Sequence, residues 1–305
     1  MPWFIARRIA GMIPVMWVIA TAVFFLARFV PGGPFDEERS LPETVRRQLN
    51  EHYGLDRPLV EQYGNYLLNL LHGDLGPSYK YPGWTVNELI SERAVVSIEL
   101  GLWALLVAIA IGVPAGIVAA ARANSLLDRA LTALATLGMC VPTFVLGPLL
   151  ILVFALKLGW FPALGWESAG DRILPSLSLG LVFAAPIARL TRASMLEVRG
   201  RDYMRTAHAK GLSETRVWLV HGLRNALAPV VTYLGPAAAG MISGSFVVES
   251  MFNIPGLGRF FVMSAFNREY TMICGTVLFY AAALLLFNLA VEIALAWLNP
   301  RLKLE

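Results

Sequence analysis

The chain has 305 residues, of which 57% are apolar and 15% are charged, and its formal net charge is +4. Soluble domains typically carry about 25% charged residues, so this composition excludes an ordinary soluble protein with a polar surface. Six stretches of 16 to 27 residues contain no ionised side chain: 9–27, 100–121, 130–156, 173–188, 225–248 and 270–291. A helix needs about 20 residues to cross the apolar core of a bilayer. The sequence therefore predicts an all-α integral membrane protein with six membrane-spanning helices.

The first span allows two interpretations. Arg7 and Arg8 before an apolar run, with Ala20-Thr21-Ala22 as a small-residue cleavage site, have the pattern of a secretory signal peptide. The apolar run continues through 23–27 and is longer than a typical signal core, which favours an uncleaved helix. We therefore expect residues 1–30 to form the N-terminal end and the first span.

The polar segment 31–93 is predicted to form a helical insertion after the first span, the outer insertion. Ser40 can cap a helix over about 42–52, and Asp56 can cap a second helix that has Pro58 in its first turn and ends at His72-Gly73. The second helix carries an apolar stripe at helical spacing, made of Leu59, Tyr63, Tyr66, Leu67 and Leu70. We expect this stripe to pack the insertion against the membrane helices, and a surface for a partner protein is the alternative.

Helix-loosening residues are frequent in the remaining spans, which we place in a core over 94–297. Proline frees backbone carbonyls that lipid cannot satisfy, so such helices pack on one another or line a watered cavity. The prolines are Pro114, Pro142, Pro148, Pro175, Pro186, Pro229 and Pro236. Gly112 with Gly116, and Gly240 with Gly244, have the spacing that lets helices approach closely. We expect these prolines and glycines to serve the packing of helices on one another. The alternative is that they line a conduit.

Ionisable side chains within or beside the spans are few. Glu99 and Glu249 lie at predicted outer helix ends, where we expect them to reach water. Glu292 lies in the inner half of the last span, and we expect it to pair with an arginine or a helix terminus. Arg172 and Arg189 flank the short fourth stretch and can lengthen it by snorkelling.

The distribution of basic residues predicts the orientation. Eight crowd the connection between the fourth and fifth spans: Arg189, Arg192, Arg199, Arg201, Arg205, Lys210, Arg216 and Arg224. Short loops rich in Lys and Arg face the cytoplasm. The pattern therefore places this connection and both termini, including 298–305, in the cytoplasm.

Residues 201–216 within this connection, which we call the basic corner, have the pattern helix, glycine, helix. Asp202 suits the first turn of a short helix, and Gly211 suits the left-handed position that ends it. Ser213 can cap a second helix with Glu214 in its first turn. We expect the basic corner to form a compact projection that another protein can bind. A solvated loop near anionic lipid headgroups is the alternative.

Motifs for catalysis are missing from the sequence. None of the four lysines follows a glycine, which excludes a P-loop, and there is no Gly-x-Ser-x-Gly, His-Glu-x-x-His or Cys-x-x-Cys. Cys140 and Cys274 each lie in an apolar stretch, which indicates no disulfide framework. We expect no enzymatic chemistry, cofactor or metal site in this chain. Uphill transport would then draw energy from a gradient or from another subunit.

Six short stretches resemble those of one transporter family. Residues 205–211 (Arg-Thr-Ala-His-Ala-Lys-Gly) and 221–229 look like the cytoplasmic loop of ABC importer permeases of the peptide class. Arg205 and Thr206 depart from the broad importer pattern Glu-Ala-Ala-x-x-x-Gly, whereas Ala207 and Gly211 match it. The outer-side matches are Tyr-Gly-Leu-Asp-Arg-Pro at 53–58, Gly-Asp-Leu-Gly-Pro-Ser at 73–78 and the stretch 249–258, which we call the outer turn. Residues 35–42 resemble the B-type subunit of oligopeptide importers in particular.

The resemblance implies a type I ABC importer permease in the bacterial inner membrane. Its implied partners are a second homologous permease, two ATPase subunits that bind ATP and Mg, a periplasmic or lipid-anchored peptide-binding protein and the peptide cargo; no nucleic acid is expected. Within 193–228 it implies ATPase coupling by Arg205, Thr206, Ala207, His208, Ala209, Lys210, Gly211, Leu212, Ser213, Glu214 and Arg216. Within 249–269 it implies a periplasmic gate at Glu249, Phe252, Asn253, Pro255, Gly256, Leu257 and Gly258, with a plain structural turn as the alternative.

Two other classes of function fit the sequence less well. A gradient-driven secondary carrier typically shows inverted repeats and paired polar residues at mid-membrane, and no convincing repeat is evident. A membrane-bound enzyme or assembly factor would need convergent acids, metal ligands or a nucleophile, which the sequence does not show. Peptide length and side-chain preference are left open by the sequence.

Overall fold

The computed structural model describes residues 2–30, 32–35 and 42–298, and every regular element in these ranges is a helix. The predicted Ser40 cap, most of the 35–42 motif and residues 299–305 of the C-terminus lie outside the described residues. The helices are α1 (Pro2–Phe29), α2 (Glu43–His52), α3 (Leu59–Leu71), α4 (Val86–Ala121), α5 (Leu126–Cys140), α6 (Thr143–Leu150), α7 (Ile173–Arg199), α8 (Asp202–Ala209), α9 (Glu214–Arg216), α10 (Leu223–Ser243), α11 (Phe246–Met251), α12 (Leu257–Phe266) and α13 (Tyr270–Leu298). Wider π-helical turns extend α6 through Ile151–Lys157 and join α9 to α10 through Val217–Gly222.

Four of the predicted spans lie within single helices of the described residues, the fifth runs through α10 and α11 with a turn at 244–245, and the third is broken. The segments Leu126–Cys140 and Thr143–Lys157 meet at an angle of 108°. Val141 is extended, with ψ of 116°, and Pro142 follows with ψ of 150°. A proline disfavours helical backbone at the preceding residue, which explains the break. The predicted third span over 130–156 is therefore a bent pair of helices, and the count reaches the predicted six if this pair is one span.

The α4 and α7 helices form the most extensive pair in the core. A Cβ added to Gly112 would lie 2.7 Å from the Ala184 carbonyl oxygen, and one added to Gly116 would lie 2.5 Å from that of Ala188. The prediction that this glycine pair packs is confirmed, and its partner helix belongs to the same chain. Gly240, by contrast, has room for a Cβ, so its spacing from Gly244 marks no such contact.

The second span begins earlier than predicted. Thr85 and Glu88 form a capping box, in which the Glu88 N–H donates to Thr85 Oγ1 at 3.2 Å and the Thr85 N–H donates to Glu88 Oε2 at 2.8 Å. This reciprocal pair satisfies backbone donors at the helix start. Helix α4 therefore begins at Val86, and the outer insertion ends before it rather than at residue 93.

The outer insertion contains two helices, each followed closely by a left-handed glycine. Gly54 has φ of +64° and Gly73 has φ of +74°. Helix α3 begins at Leu59, with Pro58 in the N-cap position and no side-chain cap. The prediction that Asp56 caps this helix is wrong, because Pro58 holds the residue before it in extended backbone.

The predicted stripe on α3 packs the insertion on the first span. Tyr63 and Tyr66 lie with ring centroids 5.3 and 5.2 Å from that of Phe24, and the Tyr63 hydroxyl is 2.7 Å from Thr21 Oγ1. Packing is confirmed for these tyrosines. The prediction of packing is wrong for Leu59, which is 51% exposed.

Two charged pairs link the ends of spans. Arg8 Nε lies 3.0 Å from Glu292 Oε2, which confirms the predicted arginine partner of Glu292. Arg172 Nε donates to Glu99 Oε1 at 2.6 Å, and the Trp166 indole donates to the other oxygen at 3.2 Å. Each carboxylate is compensated by a cation, so neither needs bulk water as its partner.

The connection after the fourth span is shorter than predicted. Helix α7 continues through Arg189 and Arg192 to Arg199, and the chain leaves it at Gly200. These three arginines therefore lie on a helix and not in a loop. The exposed basic connection begins at Arg201.

Candidate functional site

The basic corner is anchored by a buried face of α8. Met204 and Ala207 are 1% and 5% exposed. Residues three apart share a helix face, so these two side chains point together into the fold. They join a hydrophobic cluster with Ala120, Met195, Val198, Val217 and Ala226. The opposite face of α8 is left at the surface.

The glycine of the basic corner has the left-handed backbone predicted for it. Gly211 has φ of +73°, and its N–H donates to the His208 carbonyl at 2.9 Å. The Leu212 N–H donates to the Ala207 carbonyl at 3.4 Å. No atom lies within 4 Å of a Cβ built on Gly211, so the glycine is required by its φ and not by crowding.

Side chains rather than a cap hold the second helix of the basic corner. Ser213 occupies the N-cap position, but its side chain makes no capping hydrogen bond, so that part of the prediction is wrong. The Trp218 indole donates to Glu214 Oε2 at 3.0 Å. The Arg199 guanidinium lies 5.9 Å from the Trp218 ring centroid, which ties the corner to the end of α7.

Most residues assigned to coupling lie on the outward face. Arg205, Thr206, His208, Ala209, Lys210, Gly211, Ser213, Glu214 and Arg216 are exposed, whereas Ala207 is buried and Leu212 is half-buried. Arg205 lies 3.9 Å from Asp202, and His208 lies 4.0 Å from Glu214. Exposed ion pairs contribute about 0–1 kcal/mol, so these side chains can exchange their contacts for those of a partner.

The outer turn is organised by a buried carboxylate. Glu249 is fully buried and accepts hydrogen bonds from Ser97 Oγ at 2.7 Å, Ser245 Oγ at 2.5 Å and the Arg259 N–H at 3.1 Å. Ser97 Oγ accepts in turn from the Leu257 N–H at 2.8 Å. The expectation that Glu249 reaches water is wrong, because a set of protein donors replaces the water that a carboxylate requires.

Two glycines of the outer turn are required by close packing. A Cβ on Gly256 would collide with the Glu249 carboxyl group, and one on Gly258 would lie 2.8 Å from Phe246 Cβ. Phe252 and Leu257 are buried beside them. Five of the seven residues assigned to the gate therefore lie inside the fold.

The other two gate residues lie at the surface. Asn253 has φ of +55°, and its Oδ1 accepts from Arg259 Nη1 at 3.1 Å. Pro255 is exposed next to it. Of the residues assigned to the gate, these two are the ones that a partner on this side can touch.

Sequence reasoning missed the serines that hold Glu249. Ser245 precedes Glu249 by four residues in the chain, and that helical spacing was the one available signal. Ser97 is 152 positions away, and nothing local marks it.

A further buried carboxylate joins the bent pair to α7. Asp128 is 2% exposed and accepts from Arg192 Nε at 2.5 Å, from Arg192 Nη2 at 2.8 Å and from the Asn124 N–H at 2.8 Å. The two-point geometry fixes the direction of the guanidinium as well as its distance. Arg192 thus belongs to an ion pair between helices and not to the solvated connection.

Candidate metal and disulfide sites were also sought in the described part of the chain. No three or more His, Cys, Asp or Glu side chains there form a group that could hold a metal ion. Cys140 is exposed, Cys274 is buried, and both are free thiols.

The chain is similar to known membrane transport proteins. The family described as "Binding-protein-dependent transport system inner membrane component" matches residues 112–304. The oligopeptide transport system permease protein OppB of Haemophilus influenzae is 44% identical over 98% of this chain and 99% of that protein. The dipeptide transport system permease protein DppB of Bacillus subtilis is 44% identical over 99% of this chain and 98% of that protein.

A solved structure shares the fold at low sequence identity. It shows inward-facing conformations of the MetNI methionine ABC transporter, and one of its chains aligns with a TM-score of 0.57 and 18% identity. The alignment covers 69% of this chain and 96% of that one. The likeness supports a type I importer permease fold.

Proposed function

The chain belongs to the family of inner membrane components of binding-protein-dependent transport systems, and from that premise we propose that it is the permease subunit of an ATP-driven ABC importer for peptides. It is a multi-pass inner membrane protein. The similar proteins of Haemophilus influenzae and Bacillus subtilis are named for oligopeptides and dipeptides, and we propose oligopeptides as the cargo here.

The proposed assembly contains a second homologous permease, two ATPase subunits and a peptide-binding protein. ATP and Mg bind in the ATPase subunits. Both termini and the basic corner face the cytoplasm, since short cytoplasmic loops carry an excess of Lys and Arg. The outer insertion and the outer turn then face the periplasm and the binding protein.

The domain organisation that we propose follows the observed helices. Residues 1–30 form the N-terminal end and the first span, and the outer insertion runs from 31 to the start of α4. The remaining spans form the transport core up to 297, with the coupling region 193–228 on one side and the periplasmic segment 249–269 on the other. Residues 298–305 form the cytoplasmic C-terminus.

The observation that carries the proposal is the construction of the basic corner. One face of α8 is fixed in the hydrophobic core through Met204 and Ala207, and the other face is exposed. A corner held in this way moves as a rigid body with α7 and α10 when a partner pulls on it. Closure of two ATPase subunits on ATP would move two such corners together and switch the permeases between inward-open and outward-open states.

The experiment that tests the proposal is uptake by the reconstituted assembly. Proteoliposomes with the complete set of subunits and an external binding protein should accumulate peptide only with ATP on the cytoplasmic side. Gradient-driven uptake by this chain alone would contradict the proposal and favour a secondary carrier.

Gly211→Pro tests the coupling role of the basic corner. Proline fixes φ near −65° and has no N–H, so it can adopt neither the observed φ of +73° nor the bond to His208. We expect poor assembly with the ATPase subunits and loss of peptide-stimulated ATP hydrolysis. Gly73→Pro is the matched control, since Gly73 has φ of +74° and donates to Leu70 at 3.0 Å in the outer insertion. Normal transport by Gly211→Pro, or equal loss of ATPase assembly in both variants, would count against the coupling role.

A further inference from the structure

A cavity of about 730 Å³ lies in the outer insertion, between the outer end of α1, helix α3 and the loop over 74–85. Its volume is within the range of roughly 300–1,000 Å³ that is typical of small-ligand pockets. A neighbouring cavity of about 280 Å³ shares three lining residues with it, Arg28, Leu55 and Gln62. Arg28 is the cation common to both.

The Arg28 guanidinium is held by neutral groups. Its Nε donates to Gln62 Oε1 at 3.1 Å, and its Nη1 donates to the Phe24 carbonyl at 3.2 Å. Its central carbon lies 3.6 Å from the centroid of the Phe24 ring and 5.0 Å from that of Tyr270. None of the ion pairs found among the described residues includes Arg28. A guanidinium has five N–H donors, so a half-buried one without a carboxylate keeps donors and charge for an anion.

Two tyrosines, Tyr66 and Tyr79, lie in the cavity wall with Arg28. The Tyr66 hydroxyl is buried and makes no hydrogen bond within the described part of the chain; the Cys274 thiol is near it and near Arg28. Burial raises the pKa of Tyr66, and burial also raises the pKa of Tyr79 to about 12. Both phenols therefore stay protonated at neutral pH and add no negative charge beside Arg28.

The carboxylates nearest this loop already have partners. Asp74 accepts from the Gly76 N–H at 2.8 Å, and Glu269 accepts from Ser78 Oγ and from the Tyr79 N–H. The cavity also presents uncharged groups that match a peptide. Asn65 and Asn69 lie one turn apart on α3 and supply amides, and Tyr53 and Trp84 supply rings.

We propose that this cavity binds the C-terminal carboxylate of a short peptide, with Arg28 as the cation that receives it. The peptide class rests on the proposed function. The site is separate from the α4 and α7 core, so it selects cargo with a free C-terminus before the transport path is entered. The asparagine amides pair with the peptide backbone, and the rings contact its side chains.

Binding of labelled trialanine to the full-length chain in lipid nanodiscs tests the site, with trialanine amide and acetate as competitors. We expect the amide to compete about tenfold less well than the acid, since it lacks the charged hydrogen bond. Arg28→Gln should weaken trialanine binding by a similar factor. Arg57→Gln is the matched control, because Arg57 lines the same cavity but is paired with Glu61 at 3.0 Å. Equal competition by acid and amide, or by acetate and trialanine, would overturn the proposal.

A second variant covers the case in which Arg28→Gln does not fold. Asn69→Asp adds a negative charge to the wall without touching the contacts of Arg28, so it should weaken binding of the acid more than binding of the amide, although both lose the donor of the Asn69 amide. Unchanged acid binding by this variant overturns the site. Peptide uptake by the complete assembly is measured in parallel. Uptake without binding at the cavity rejects the site and keeps the proposed function, whereas absence of uptake rejects the proposed function.

Discussion

The basic corner and the outer turn are both glycine-containing corners between helices, and they are built in opposite ways. Gly211 in the basic corner stands in open space, and most of the polar side chains around it are exposed. Gly256 and Gly258 in the outer turn are surrounded, and Glu249 beneath them has three donors. The polar side chains of the basic corner are mostly exposed, whereas those of the outer turn form hydrogen bonds inside the fold.

The difference indicates which corner is suited to bind a partner protein. A surface that binds a partner needs side chains whose present contacts are weak, and the ion pairs of the basic corner are long and exposed. The outer turn gains its shape from bonds that a partner cannot reach. The exposed residues of the turn are Ser250, Asn253 and Pro255, so we infer that the turn sets the position of helices and offers only a small external surface.

The largest expected effect is loss of the buried carboxylate. Glu249→Ala removes three hydrogen bonds and leaves the buried Ser97 hydroxyl and the Arg259 N–H without their acceptor, which should lower the free energy of unfolding by about 3–5 kcal/mol. Thermal unfolding of the purified chain in detergent measures this. Glu292→Ala is the control, because its pair with Arg8 is partly exposed and should cost less than about 1 kcal/mol. Similar losses in both variants would remove the distinction between the two kinds of carboxylate.

The next effect comes from a matched pair of glycines. Gly256→Ala places a methyl group against the Glu249 carboxyl group and should cost about 1–3 kcal/mol through overpacking. The methyl group added by Gly211→Ala contacts no other atom, so this variant should lose only the about 1 kcal/mol that a left-handed backbone costs alanine. The same unfolding assay compares them. A larger loss for Gly211→Ala would show that the basic corner is packed more tightly than its surroundings indicate.

Removal of one hydroxyl should have an intermediate effect on the same network. Ser245→Ala deletes one donor to Glu249 but leaves Ser97 and the Arg259 N–H in place, so a loss of about 1–2 kcal/mol is expected. Thr206→Ser is a control in the basic corner, where the hydroxyl still reaches the Asp202 carbonyl and stability should not change. A neutral Ser245→Ala would mean that the outer turn does not depend on its buried bonds.

The smallest effect on stability is expected from the exposed cations. Arg205→Ala and Lys210→Ala should change the free energy of unfolding by less than about 0.5 kcal/mol, because both side chains are at the surface. Peptide-stimulated ATP hydrolysis by the assembly should nevertheless fall. Stable variants with full ATPase stimulation would show that these charges do not contact the ATPase subunits.

Local features of the fold were accessible from the sequence because they depend on neighbours in the chain. The left-handed Gly211, the C-terminal end of α3 and the positions of five spans follow from glycine chemistry and from apolar length. The prediction failed where the partner is distant. Glu249 was predicted to reach water at a helix end, but it is bound by Ser97, which is distant in the chain. Arg192 was predicted to lie in a basic loop, but it pairs with Asp128 of another helix.

The amino-acid sequence by itself determined that this protein lies in a membrane, roughly where most of its helices cross and where its basic corner turns. Those properties come from the transfer of apolar side chains out of water and from backbone preferences, and both act along the chain. Tertiary structure alone decided that Glu249 is buried in the outer turn and that Arg28 faces a cavity without a carboxylate partner among the described residues. Each of these depends on contacts between residues that are far apart in the chain, and the sequence does not show which distant residues come into contact.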